Sequence, residues 1–168
     1  VRNGANLSDE QKEQYRKISE ELSSLSLQFE QNVLSATNAF SLNITDPKQV
    51  EELPAFVRDA MAAEAKARGE KGWTVTLHAP SYSPFMTYST QRDIKEALYR
   101  AYNTRGIGGE TDNVENIRRI AELRLKIANL LGYKCYADYV LEDRLAESTK
   151  TVNGVLAELN KATLNDAK

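Results

Sequence analysis

The chain has 168 residues, 41% of them hydrophobic and 27% charged, with a formal net charge of −2, one histidine and one cysteine. Its length suits one domain, or one and a half small ones, and suffices to bury a core. The charge lacks the basic excess of a nucleic-acid footprint, no apolar run approaches the roughly 20 residues that span a bilayer, the opening Val-Arg-Asn-Gly-Ala-Asn has no apolar signal core, and a single cysteine excludes an internal disulfide.

The first element starts near Leu7. Ser8 and Gln11 have the spacing of a capping box, and Tyr15, Ile18, Leu22, Leu25 and Phe29 then alternate steps of three and four. The spacing predicts a long amphipathic helix over 8–38. Leu27 and Leu34 widen its apolar face beyond a coiled-coil seam, so docking on a core is expected. Phe40, Leu42 and Ile44 alternate with polar residues and predict a strand over 40–45. Asp46-Pro47 ends it. Pro54 leads into a second helix carrying Phe56, Val57, Ala60 and Met61, which stops at Gly69.

A second alternating strand covers 73–78, with Trp73, Val75 and Leu77 on one face and Thr74, Thr76 and His78 on the more polar one. The crossover permits a parallel pair and equally an antiparallel one. His78 reads as a surface or hydrogen-bonded histidine, since zinc needs three or four donors. Pro80 and Pro84 punctuate a tight segment from 80 to 90, suiting turns or helix first positions. A helix over 91–104 is expected to bury Ile94, Ala97, Leu98 and Ala101. Gly106-Ile107-Gly108-Gly109 lacks a following Lys-Ser/Thr and follows a helix, so it reads as a connector and not as a phosphate cradle.

Asp112 with Glu115 is expected to cap the next helix, whose period is set by Val114, Ile117, Ile120, Ala121, Ile127, Ala128 and Leu131, with Gly132 as its C-terminal stop. A shorter helix over 136–145 follows. Ser148 or Thr149 starts a last one, with Val152, Val155, Leu156 and Leu159 as its apolar residues and Gly154 inside it. Cys135, between Tyr133 and Tyr136, reads as a packed side chain. The fold class is therefore mainly α, a bundle-like multi-helix array with a small two-stranded β element at about 40–45 and 73–78. The loop 106–111 divides an expected first unit, 1–105 (long helix, small β-α-β and a helix), from a helical second one, 106–168.

Four stretches taken in order resemble one known family: LSLQFEQNVLSATNAFSLNI from Leu25, EELP from Glu51, WTVTLHAPSYSPFMTYSTQRDIKEALYRAYNTR from Trp73, and DNVENIRRIAELRLKIANLLGY from Asp112 with ADYVLEDRLA after it. Together they are similar to the thimet oligopeptidase and peptidyl-dipeptidase (Dcp-type) zinc metallopeptidases. The resemblance implies a mostly helical region that forms part of the wall of a channel admitting short peptides, ahead of a catalytic half in which zinc is held by two histidines of H-E-x-x-H and a further glutamate. This sequence contains no H-E-x-x-H, so no catalytic, metal or cofactor residue is carried over, and the region is expected not to act as an enzyme alone although the parent is a zinc metallopeptidase. Tyr99, Tyr102 and Arg105 are candidates to face the channel, set against a packing and ion-pairing role. The partners implied are the catalytic half of the same parent chain and, in the parent, short peptides; neither nucleic acid nor membrane is expected, and exposed apolar faces predict self-association. A cytoplasmic parent is expected, with a periplasmic or secreted one left open. The alternative is a stand-alone helical interaction module docking a partner through the Tyr15-to-Phe29 stripe.

Overall fold

The computed structural model describes residues 4–164. Seven α-helices are present among them: α1 Asp9–Ala39, α2 Ala55–Ala67, α3 Ala79–Tyr88, α4 Arg92–Asn103, α5 Val114–Leu130, α6 Tyr136–Leu141 and α7 Thr149–Thr163. Strands β1 Ser41–Ile44 and β2 Trp73–Thr76 make one two-stranded sheet. The chain is thus mainly α with a small β element. By contacts it forms two compact units, one of residues 1–26 with 116–168 and one of residues 27–115. The 106–111 loop lies inside the latter.

Helix α1 begins where the capping box places it: the Ser8 N–H donates to Gln11 Oε1 at 3.0 Å and the Gln11 N–H to Ser8 Oγ at 3.3 Å. In the 27–115 unit its C-terminal part leads into β1. The strands pair antiparallel, with Leu42 opposite Val75 and Ile44 opposite Trp73, which resolves the pairing that the crossover length left open. Gly72 makes the turn into β2. Its φ is +87°, and a Cβ there would stand 2.2 Å from the Ile44 carbonyl oxygen, so only glycine fits.

The core of this unit is Ile44, Val50, Leu53, Val57, Met61, Val75, Leu77, Phe85 and Leu98. Helices α2 and α3 both pack on β2. As a result Thr74 and Thr76, on the face that alternation marks as the more polar, are buried as deeply as Val75. Their polar atoms are satisfied. Asn43 Nδ2 donates to Thr74 Oγ1 at 2.9 Å, that hydroxyl donates to Glu70 Oε2 at 2.5 Å, and the Thr76 N–H donates to Ser81 Oγ at 2.9 Å.

The 80–90 segment departs from the sequence expectation. It is helix α3, with Pro80 in the first turn, where no amide partner is missed, and Pro84 inside it. Pro84 removes one backbone bond and disfavours helix. The fully buried Phe85 and the tie from Ser81 to β2 outweigh that local penalty. Three smaller corrections have similar causes. On α4, Leu98 is fully buried but Ala97 is exposed and Ile94 and Ala101 are half-buried, an alanine having little surface to gain from burial. Helix α5 starts at Val114, one residue later than an Asp112 cap implies, although Asp112 Oδ1 does accept the Val114 N–H at 3.2 Å. Helix α6 stops at Leu141, short of 145.

In the other unit α5 buries Leu123, Ile127 and Ala128, and Arg119 forks onto Glu21 of α1 at 2.6 and 2.9 Å. Gly132 ends α5 at φ +89°, with the Tyr133 N–H returning to the Ala128 carbonyl at 2.9 Å. Ser148 caps α7 by accepting the Thr151 N–H. Helix α7 has no buried residue among those described, and Val155, Leu156 and Leu159 are each more than half exposed. No helix among the described residues is long and apolar enough to cross a membrane.

Two glycines with the same backbone sign separate packing from conformation. Gly69 has φ +72° and open space around it, whereas Gly72 meets backbone. In urea unfolding, Gly69→Ala is expected to cost about 1–2 kcal/mol, the left-handed penalty alone. Gly72→Ala should cost severalfold more, or abolish cooperative unfolding. Equal costs would show that the turn can open without loss of the sheet.

Candidate functional site

Tyr99, Tyr102 and Arg105 fall around the α3–α4 corner of the 27–115 unit. Tyr82 of α3 stacks on Tyr102 of α4 with centroids 4.3 Å apart and planes inclined by 18°. Arg105 lies over the other partner of this stack, its guanidinium carbon 3.6 Å from the Tyr102 centroid. Its Nε donates to the Tyr102 carbonyl at 2.8 Å and Nη1 to Thr37 Oγ1 at 3.0 Å. Tyr102 thus packs, as one of the two sequence expectations has it. Among the described residues Arg105 has no ion-pair partner, and the groups it touches are neutral. Tyr99 is 57% exposed on the outer side of α4. Burial raises the Tyr82 phenol above its ordinary pKa, which keeps it neutral at physiological pH.

Along the outer side of the same corner runs a groove of about 570 Å³, lined by Met86, Thr90, Arg92, Lys95, Glu96, Tyr99 and Arg100. Its cations are unevenly balanced. Arg100 is held by Glu96 at 2.8 Å, and Lys95 Nζ donates to the Ser89 carbonyl. What fixes the groove is Glu52, a residue that sequence patterning passes over. Its Oε1 accepts the Thr90 N–H at 2.6 Å and the Ser89 hydroxyl at 3.3 Å, while Oε2 accepts the Thr90 hydroxyl. One exposed carboxylate therefore ties the end of α3 and the start of α4 to the loop before α2. The Thr90 hydroxyl, then the Thr90 N–H, hold its carboxyl below the ordinary value. No spacing rule marks such a residue, because the two ends lie about forty positions apart in the chain.

A second cavity, about 330 Å³ and mostly apolar, opens between α2, β2 and α3 and is walled by Phe56, Met61, Thr76, Pro80 and Pro84. His78, the single histidine, sits exposed on its rim. The glycine loop is a connector in structure as well. Asp112 Oδ1 already accepts the Gly108 N–H at 3.1 Å, so a bound phosphate would compete with a carboxylate for that amide. Hydrogen bonds from the backbone N–H groups of Gly108 and Val114 hold Asp112 below its ordinary pKa. Buried Asn113 anchors the following turn, donating to the Phe29 carbonyl at 3.1 Å and accepting from Asn32 at 3.0 Å. Cys135 is half-buried and free. Among the described residues no three His, Cys, Asp or Glu side chains are placed to hold a metal ion.

Residues 85–168 match the sequence profile of peptidase family M3. The chain is 37% identical over 174 residues to the probable cytosolic oligopeptidase A of Arabidopsis thaliana, covering 99% of this chain and 25% of that protein. It is 38% identical over 171 residues to the organellar oligopeptidase A, chloroplastic/mitochondrial, of the same plant, covering 98% and 22%. With the dipeptidyl carboxypeptidase of Salmonella typhimurium the identity is 27% over 169 residues, covering 97% and 25%. The chain spans about a quarter of the length of the curated relatives it matches.

The Glu52 tether has a pH signature. A carboxyl whose folded pKa is depressed stabilises fully above its unfolded value, about 4.3, and loses that contribution as pH falls through the folded value. The stability gap between wild type and Glu52→Gln should therefore be widest near neutral pH and shrink as pH falls below the unfolded value of about 4.3. Thermal melts followed by circular dichroism across that range measure it. A gap independent of pH would mean that the charge of Glu52 is not what ties the corner.

Proposed function

Because the chain belongs to peptidase family M3, we propose that it is the non-catalytic helical portion of a zinc-dependent oligopeptidase or peptidyl-dipeptidase that hydrolyses short peptides, and that in the parent it forms part of the substrate-channel wall. The observation that carries this reading is coverage: relatives named as oligopeptidases and as a dipeptidyl carboxypeptidase match nearly the whole chain, which accounts for only a quarter of them. Peptidases of the family are in general zinc-dependent. The residues present here do not fit that metal, since the sequence has one histidine and no H-E-x-x-H. No step through zinc is assigned to this chain.

What these residues offer is a shaped surface. The α3–α4 corner presents aromatic rings, cations and a groove with a rigid backbone tether, features suited to holding an extended peptide by its side chains and termini. The principal partner proposed is the catalytic half of the same parent chain. In one unit the apolar residues of α7, and in the other Leu27 and Leu34 at 56% and 55% exposure, are each surfaces such a partner would cover. Left uncovered, surfaces of this kind promote association, so self-association of the isolated chain belongs to the same proposal. A cytoplasmic parent is also part of it; the relatives' names include both a cytosolic and an organellar protein.

Pure 168-residue chain incubated with zinc and a short unstructured peptide is expected to give no chelator-sensitive cleavage, while the full-length parent cleaves the same peptide. Zinc-dependent turnover by the isolated chain would overturn the proposal. Sedimentation of that chain should show concentration-dependent association that Leu156→Glu with Leu159→Glu abolishes. A strictly monomeric wild type would remove the covered-face part of it.

A further inference from the structure

Arg105 is the cation of the 27–115 unit that is braced on an aromatic ring and by two neutral hydrogen-bond partners. Its guanidinium is half-buried and keeps its proton at any physiological pH. Of its five N–H groups, one serves the Tyr102 carbonyl and one the Thr37 hydroxyl. The ring of Tyr102 covers one face. None of these partners carries negative charge, and the neutral Tyr82 phenol behind the stack supplies none either. Arg16, Arg68, Arg100, Arg118 and Arg119 each have a carboxylate within salt-bridge distance. Arg105 has no such partner among the described residues; Arg58 shares that lack, but it has one backbone carbonyl for a partner, and it is the ring and the double tether that set Arg105 apart.

Taking a guanidinium partly out of water costs free energy that only an anion in good geometry returns in full. The bracing matters as much as the charge. Thr37 is buried, at 6% exposure, and the Tyr82–Tyr102 stack fixes the ring under the guanidinium, so the side chain's rotamer entropy is already lost before any ligand arrives. The three remaining N–H groups lie on Nη1 and Nη2, the edge that matches a carboxylate bidentately. A preorganised, unpaired fork of this kind is built for a planar anion.

We propose that Arg105 is a carboxylate-binding site, its anion supplied from outside the described residues. Two sources share this chemistry. One is the C-terminal carboxylate of a short peptide, and this source rests on the peptidase reading above. The other is an Asp or Glu side chain from the remainder of the parent polypeptide, which does not. Either way Arg105 is a binding or positioning residue, not a catalytic one.

The Nε–Hε resonance of Arg105 in ¹⁵N-arginine-labelled protein, assigned by its loss in Arg105→Lys, reads the site directly. In the isolated chain, Ala-Ala-Phe as the free acid and as its C-terminal amide are titrated in parallel. A saturable shift with the acid, at an affinity at least about tenfold above that of the amide, supports the site with a peptide as source. The same resonance already displaced in the full-length parent and indifferent to either peptide, with Arg105→Lys lowering the parent's melting temperature, supports it with an internal carboxylate. A resonance identical in both proteins and unmoved by millimolar free acid overturns the proposal. Zinc-dependent cleavage by the wild-type parent is scored separately, so loss of the peptidase reading is distinguishable from loss of the Arg105 site.

Discussion

Strand β2 is buried on both faces, and a two-stranded antiparallel sheet cannot cover two faces by itself. That constraint organises residues 27–115. Helices α2 and α3 must both lie on β2. The polar side chains caught underneath must be paired, as Thr74 is through Asn43 and Glu70. Helix α3 must form despite Pro84, since Phe85 is the side chain that closes the core. Once α3 is placed, Tyr82 stands where Tyr102 can stack on it, and Arg105 is carried onto the outer face of that stack. The candidate site is in this sense a consequence of how one four-residue strand is sheltered.

The ion pairs contribute little by comparison. Arg16 with Glu13 and Glu20, Arg68 with Glu64, and Arg118 with Glu122 are helix-surface pairs, each worth a few tenths of a kcal/mol in isolated helices. Burying a side chain such as Leu98 or Phe85 outweighs several of them. Glu52 differs in kind. It is exposed, but it closes a contact between positions far apart in sequence, with neutral donors whose geometry it fixes. Arg105 reverses the pattern, a charge with geometry and no counter-charge among the described residues.

Much of this was legible in the sequence where the signal is local. The Ser8–Gln11 box, the three-four stripe of α1, the alternation of Phe40, Leu42 and Ile44, the Gly132 stop and the Ser148 start depend on neighbours within a few residues, and each appears in the structure. The signals that failed are those that tertiary context overrides. Two prolines in ten residues argue against helix, yet buried Phe85 makes α3 worth its missing bond. Thr74 and Thr76 look like a solvent face until the helices packed on β2 are in place. The role of Glu52 depends on Thr90, and the unpaired state of Arg105 depends on which carboxylates the fold keeps away from it. Family resemblance was legible for the same reason as the helices, in runs of adjacent residues; which surface binds what is not a property of runs.

Hydrogen exchange on the isolated chain tests most directly whether the doubly covered strand is the centre of the structure. The amides of β2 and of the helices packed on it should exchange slowest and at a common rate, through cooperative opening. Those of α7, with no buried side chain to hold it, should exchange faster by orders of magnitude. Protection in α7 equal to that of Val75, or amides of β2 that exchange independently of α2 and α3, would contradict the account.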